Sequence, residues 1–242
     1  MTYKKIMRDL KTYARPDKIQ ILSSFFKTNK GQYGEGDIFM GVPVPNQRRV
    51  AKKYFKNTTY NDIQKLLTHK IHEHRLTGLF MLVYKFQKAD QTERKNIFDS
   101  YLKNLKYVNN WDLVDTTTPQ IIGVYLLDKP EERKFLYKLA QSKNLWEKRI
   151  AILATYTFIK YNDFADTLAI AEILLKDSHD LIHKAVGWML REVGKKNQDV
   201  EEEFLKKYYK IMPRTMLRYA IERFTTQKKA FYMKKISGDR LR

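Results

Sequence analysis

The chain has 242 residues, a net charge of +20 from 47 Lys and Arg against 27 Asp and Glu, no cysteine, and a 43% apolar share. That length buries a sizeable core, the lack of cysteine excludes disulfides and thiolate metal centres, and no apolar run approaches the ~18 residues of a membrane span. The positive excess implies an anionic partner, nucleic acid ahead of an anionic membrane surface, and 16 Tyr, 13 Phe and 3 Trp supply flat faces for sugar or base contact.

The opening stretch, MTYKKIMRDLKTYARPDK, is charged throughout and has no apolar segment of the secretory type. With the cysteine count, this gives the expectation of a cytoplasmic, DNA-associated protein. Pro16, Pro130 and Pro213 each precede an amphipathic stretch, as first-turn prolines do. NKGQYGEGDIFMGVP reads as a glycine-rich loop and lacks the GxxxxGK[ST] pattern of a phosphate-binding loop. In HRLTGLFMLVYKFQ, Leu76, Leu79, Phe80, Val83 and Phe86 recur at helical spacing on one face. RIAILATYTFI and HKAVGWMLREVG read the same way, with Gly78 marking a close helix contact and Gly194 a helix end. EEEF, from Glu201 to Phe204, suits the N-terminal turn of a helix. The terminal KKISGDRLR reads as a frayed basic tail over 235–242. No segment shows the period of two that marks a half-buried strand.

The helices repeat. Arg75, Asp112, Arg149, Lys184 and Arg218 each open an apolar helical face, at steps of 37, 37, 35 and 34 residues. Such spacing fits two-helix units that bury their faces by stacking on their neighbours. The reading is an all-α, HEAT-like or armadillo-type solenoid, residues 1–242 forming one monomeric domain with a concave basic face for DNA. An irregular helical bundle is the alternative. Four of the five register positions are basic, and Asp112 is the exception.

Asp112 lies in NNWDLVDTTTP. Asn109 or Asn110 would cap a helix there, with Trp111 in its first turn. Trp111 and Asp115 are four residues apart and share a face, while Asp112 points about 100° away. Pro119 has no N–H for the carbonyl four residues back, so the helix should loosen beside Asp115. The helix dipole and the basic surroundings favour an ionised Asp115. A fixed anion beside an indole suits cleavage of an N-glycosidic bond, which develops positive charge on the sugar. A base alkylated on a ring nitrogen already carries a positive charge and leaves without a general acid. The plainer readings make Asp112 a first-turn helix stabiliser, Asp115 an ion-pair partner and Trp111 a packing residue. The five histidines form no metal set: HDLIH lacks the glutamate of HExxH, and His72 and His74 point apart on a helix.

VNNWDLVD, NLWEKRIAIL, HKAVGWMLREVGKK and MPRTMLRYAIERF, in that order, resemble the AlkD-type DNA alkylation-repair glycosylases. FFKT and GQYGEGDIFMGVPVPNQRR resemble the N-terminal part of the same family, so the similarity runs from about Ser24 to Phe224. The resemblance implies HEAT-like repeats whose concave face holds duplex DNA. It implies base-excision release of cationic 3-alkyladenine or 7-alkylguanine, with no metal or cofactor. Asp115 matches the catalytic acid that closes the family's W-D-x-x-D pattern, Trp111 opens it, and Trp188 of GWMLRE is the second tryptophan flanking the lesion's sugar and backbone. Arg149 matches a phosphate-binding arginine. Arg191, three residues from Trp188, would hold a phosphate or pair with a carboxylate such as Asp115. Lys148, Lys184 and Arg48 are further candidates for phosphate contact. Pro43 stands where many members carry a polar or basic residue, and Phe25 or Phe26 where some carry tyrosine, with packing as the role here. The reading from another class is a non-catalytic HEAT-like module that binds damaged or branched DNA, or a protein.

Overall fold

Short polar side chains decide where many of the helices begin. In the computed structural model, which describes residues 2–234, the side chains of Thr59, Asp90, Asn110, Asn144, Asn197 and Thr225 each accept a backbone N–H at a helix start. The helices are α1 (Thr2–Lys11), α2 (Pro16–Phe25), α3 (Val44–Tyr54), α4 (Tyr60–Leu67), α5 (His72–Phe86), α6 (Gln91–Lys103) and α7 (Trp111–Asp115). They continue as α8 (Val124–Leu126), α9 (Lys134–Ala140), α10 (Leu145–Lys160), α11 (Ala165–Leu174), α12 (Asp180–Lys196), α13 (Gln198–Tyr208), α14 (Arg214–Ala220) and α15 (Thr226–Met233). Among the described residues there is no strand, only an isolated parallel bridge between Ile38 and Ile71. No described helix is long and apolar enough to cross a membrane.

The packing divides into two units, Met1–Ile121 and Ile122–Arg242. In the first, α5 packs on α3, α4, α6 and α7. Every residue from His72 to Val83 is buried, so this helix is a core element on all sides. Gly78 does mark a close contact: a Cβ there would stand 3.2 Å from the Leu66 Cβ of α4. In contrast, α2 has no fully buried residue. In the second unit, α10 packs on α9, α11 and α12, and α12 packs on α11, α13 and α14. Gly187 permits the last of these approaches, because a Cβ there would meet the Met216 carbonyl oxygen at 2.3 Å.

Each of the five register positions falls within a helix, though not at one common point: Arg218 lies in the last turn of α14. Arg75 is the fourth residue of α5 and Asp112 the second of α7, while Arg149, Lys184 and Arg218 are each the fifth of α10, α12 and α14. Pro16 opens α2 as expected, Pro130 opens a 3-10 turn before α9, and Pro213 is the N-cap of α14 and lies outside its first turn. Gly194 requires a correction, since α12 runs past it to Lys196. Its role is clearance: a Cβ would fall 1.7 Å from the Glu201 carboxylate of α13. The tail over 235–242 lies outside the described residues.

α13 begins at Gln198, three residues before the expected EEEF start, so only Glu201 of that stretch lies in the first turn, and 2% of it is exposed. Burial, with the neighbouring Glu202 charge, pushes its carboxyl up to about 8, against the opposing influence of Arg191. A raised folded-state value means that stability is lost as pH rises from the ordinary 4.5 through about 8. Glu201→Gln should therefore raise the thermal midpoint relative to the parent at alkaline pH and leave it little changed in acid. Thermal melts across a pH series check this, and a constant offset at every pH would contradict it.

Candidate functional site

The five residues of α7 are too few to hold a helix by themselves. Asn110 caps it, accepting the Trp111 N–H at 2.9 Å. At the other end the Thr116 and Thr117 hydroxyls donate to the Asp112 and Leu113 carbonyls at 2.6 and 2.5 Å. Tyr101, fully buried, shares its hydroxyl with Thr117 and Thr118 at 2.9 and 3.0 Å. The helix stops at Asp115, and the chain resumes as a π-helical turn over Pro119–Gly123. The break expected from Pro119 is thus present, next to the acid it was expected to affect.

The two acids of the W-D-x-x-D stretch have different surroundings. Asp112 is 5% exposed, while Asp115 and Trp111 are half-buried. His72, at the start of α5, donates from Nδ1 to Asp37 and from Nε2 to Asp112, both at 2.8 Å. Two carboxylate acceptors require both ring nitrogens to carry protons. Burial of His72 opposes its charge, but Asp112 and then Asp37 outweigh that and push its value up to about 9. Asp37 also accepts from Arg75 Nη2 at 2.5 Å and from the Asn110 amide at 3.2 Å. Although burial works the other way, the His72 bond and the Arg75 charge hold its carboxyl below the usual range. The buried cluster therefore contains two anions and two cations. Its stabilisation is complete below the ordinary histidine value of 6.5 and lost as pH rises through about 9.

Aromatic rings cover this cluster. Phe39 stacks on His72 at 4.6 Å, and Phe26 on Phe39 at 5.0 Å. Phe26 also stacks on Trp111 at 5.1 Å with an 11° tilt. Phe25, 59% exposed, meets the same indole edge-on at 5.6 Å. Packing is thus the observed role of Phe26. The segment carrying Phe39 is fixed by Glu73, which accepts the N–H groups of Met40, Gly41 and Val42 at 2.8–3.2 Å. Gly41 has φ +81°, and a Cβ there would strike the Arg15 carbonyl at 2.1 Å. A cavity of about 270 Å³ adjoins this segment, lined by Leu22, Phe26, Phe39, Val42, His72 and Asp112, with the exposed Pro43 also in its wall.

The other expected residues of the first unit and those of the second are held by protein partners. Arg48 lies over the Phe80 ring at 4.0 Å. Arg149 is 5% exposed and donates to the Leu181 carbonyl at 2.5 Å. Lys148 pairs with Asp177, and Lys184 with Asp180 four residues back on α12. Trp188 is half-buried and donates its indole N–H to Glu192 at 3.0 Å. Arg191 pairs with Glu222 and with Glu192, so it meets carboxylates of its own unit.

A family profile described as "DNA alkylation repair enzyme" matches residues 6–224. The chain belongs to this family. A predicted DNA alkylation repair enzyme from Enterococcus faecalis is similar in structure, with TM-score 0.68 and 16% identity over 88% of this chain and 97% of the other. AlkD2 from Streptococcus mutans is similar with TM-score 0.56 and 15% identity over 87% of this chain and 98% of the other. At that identity the likeness concerns the fold. No curated protein sequence matches the chain.

Sequence reasoning missed His72, Asp37 and Asn110 as one cluster with Asp112, and placed Arg75 only as a register position. One signal was available: His72 and Arg75 are three residues apart on a helix that otherwise reads as core. Removing one member of a buried ion cluster leaves its partners charged and unpaired. Asp37→Ala should cost about 3–5 kcal/mol in chemical denaturation at neutral pH. Asp17→Ala, which breaks an exposed pair with Arg15, should cost less than about 1 kcal/mol. Equal losses in the two variants would count against the cluster as a source of stability.

Proposed function

We propose that this protein is a DNA glycosylase of base-excision repair. It hydrolyses the N-glycosidic bond of cationic 3-alkyladenine and 7-alkylguanine nucleotides in duplex DNA. The observation that carries the reading is the division of labour on α7: Asp112 is buried against His72, while Asp115 is half-buried beside the break at Thr116 and on the same short helix as Trp111. Family membership supports the substrate class.

In the proposed reaction the bond from sugar C1′ to the base nitrogen breaks, and its electron pair leaves with the base, which becomes neutral. The sugar is left positive. Asp115 stabilises that charge, and water adds at C1′ with loss of a proton. The indole face of Trp111 attracts the same charge. Arg149, Arg191, Lys148, Lys184 and Arg48 serve the phosphates. Because Lys148, Lys184 and Arg191 have carboxylate partners in the free protein, duplex binding at these positions replaces carboxylates with phosphates. No metal or cofactor takes part, and the protein acts as a monomer in the cytoplasm.

Incubation with methylated duplex DNA, followed by an assay of free bases, should detect methylated purines. Asp115→Asn should lower that rate on the order of 100-fold or more while leaving affinity for unmodified duplex nearly unchanged. Affinity should fall steeply with added salt, as phosphate contacts require. Absence of base release by the parent protein, with salt-sensitive DNA binding retained, would replace this reading with that of a non-catalytic DNA-binding module.

A further inference from the structure

We propose that His72 is a positioning residue for this site: its imidazolium ties the first turn of α7 to the loop before α3 and so sets Trp111 and Asp115 for the reaction. The proposal rests on the glycosylase reading given above. Three connections meet at this point. Asp112, on α7, accepts from Nε2. Asp37, in the loop, accepts from Nδ1 and also accepts the amide of Asn110, the residue that caps α7. The third connection is aromatic: Phe39 and Phe26 both lie against His72, and Phe26 continues the stack onto Trp111. A five-residue helix takes its orientation from such contacts because its own hydrogen bonds are too few to impose one. His72 itself is enclosed: it is 1% exposed, and its backbone N–H donates to the Ile38 carbonyl at 2.8 Å.

The arrangement requires the charged ring. A neutral imidazole has one N–H and serves only one of the two carboxylates. The other charged groups around His72 are Arg75 and Glu73 on its own helix, and Arg15 and Lys18, which line the same cavity. Arg75 is spent on Asp37, and Glu73 on the backbone of the loop. Neither replaces the bond to Asp112. Loss of the proton therefore breaks one of the two ring bonds, loosening the tie between α7, α5 and the loop, and leaves Asp112 and Asp37 repelling each other. The reaction should show an alkaline limb governed by His72, a residue with no role at the reacting atoms.

Nitrogen-15 NMR of the imidazole reads the first part directly. Both His72 nitrogens should be protonated at neutral pH, with the second proton lost near 9. A neutral, single-tautomer ring at pH 7 would overturn the proposal. The second part is read in single-turnover base release from methylated duplex. His72→Gln should reduce the rate roughly tenfold to a hundredfold, the scale of a small misplacement of a reacting group, with duplex affinity changed less than about threefold. It should also remove the alkaline limb. Asp37→Asn, which takes away one of the two carboxylates, should move that limb to lower pH, and it serves as the test if His72→Gln does not fold. A parental rate and pH profile in the variant that folds would sink the idea. If no form releases base, the glycosylase reading fails, and amide exchange decides the positioning role separately. Exchange across 112–116 should quicken in the variant, and unchanged exchange there overturns the proposal.

Discussion

The first unit depends on a protonated imidazole held between two carboxylates inside a protein. Each ion alone would be expensive to bury. Together, His72, Arg75, Asp37 and Asp112 balance in charge, and the three cation-to-carboxylate bonds are 2.5–2.8 Å. The central helix α5 supplies both cations, so the core helix of this unit also sets its electrostatics. The partners extend outwards from it: the loop before α3 through Asp37, and α7 through Asp112. Trp111 and Asp115 are attached to that frame at one remove. Their surroundings follow from where α7 is held more than from anything α7 does by itself.

The strong positive charge is handled in a different way. The cations expected to meet phosphate lie largely against acidic or aromatic neighbours, as Lys148 does with Asp177 and Arg48 with Phe80. Arg133 shows the same habit as pure structure: it is buried over Phe158, bonded to the Leu126 and Leu127 carbonyls, and paired with Asp163 and Asp166. An arginine in this chain is therefore not a DNA contact by default. Its partners decide.

The fold was legible because its signals are local. Helical periodicity identified the buried face of α5, polar caps lay where helices begin, and Pro119 interrupted the chain beside Asp115. The register of five positions emerged from spacing alone. The cluster beneath α7 was not legible, because the pairs that bond across it lie 35 to 73 residues apart and only the fold brings them together. A histidine read by motif is tested for metal ligation, and His72 is instead an ion-pair centre. Gly194 was misread for a related reason. A glycine near the end of a helical pattern resembles a stop, but here the space it leaves is required by Glu201, from the next helix.

One contrast within the first unit remains. Helix α5 is buried along nearly its whole length, whereas α2 has no fully buried residue and exposes Ile21 and Phe25 by more than half. Unfolding of the whole unit must expose α5, so the global melt reports on that helix and its charges. Detachment of α2 removes little apolar area from cover and belongs at the low end of local opening energies. Its C-cap residue, Phe26, is nevertheless the ring stacked on Trp111. The most loosely held helix of the unit is therefore covalently continuous with one of its most confined aromatic contacts. Amides of α2 should exchange with solvent long before those of α5, and a ligand reaching Trp111 from that side would meet an edge that reshapes without taxing the core.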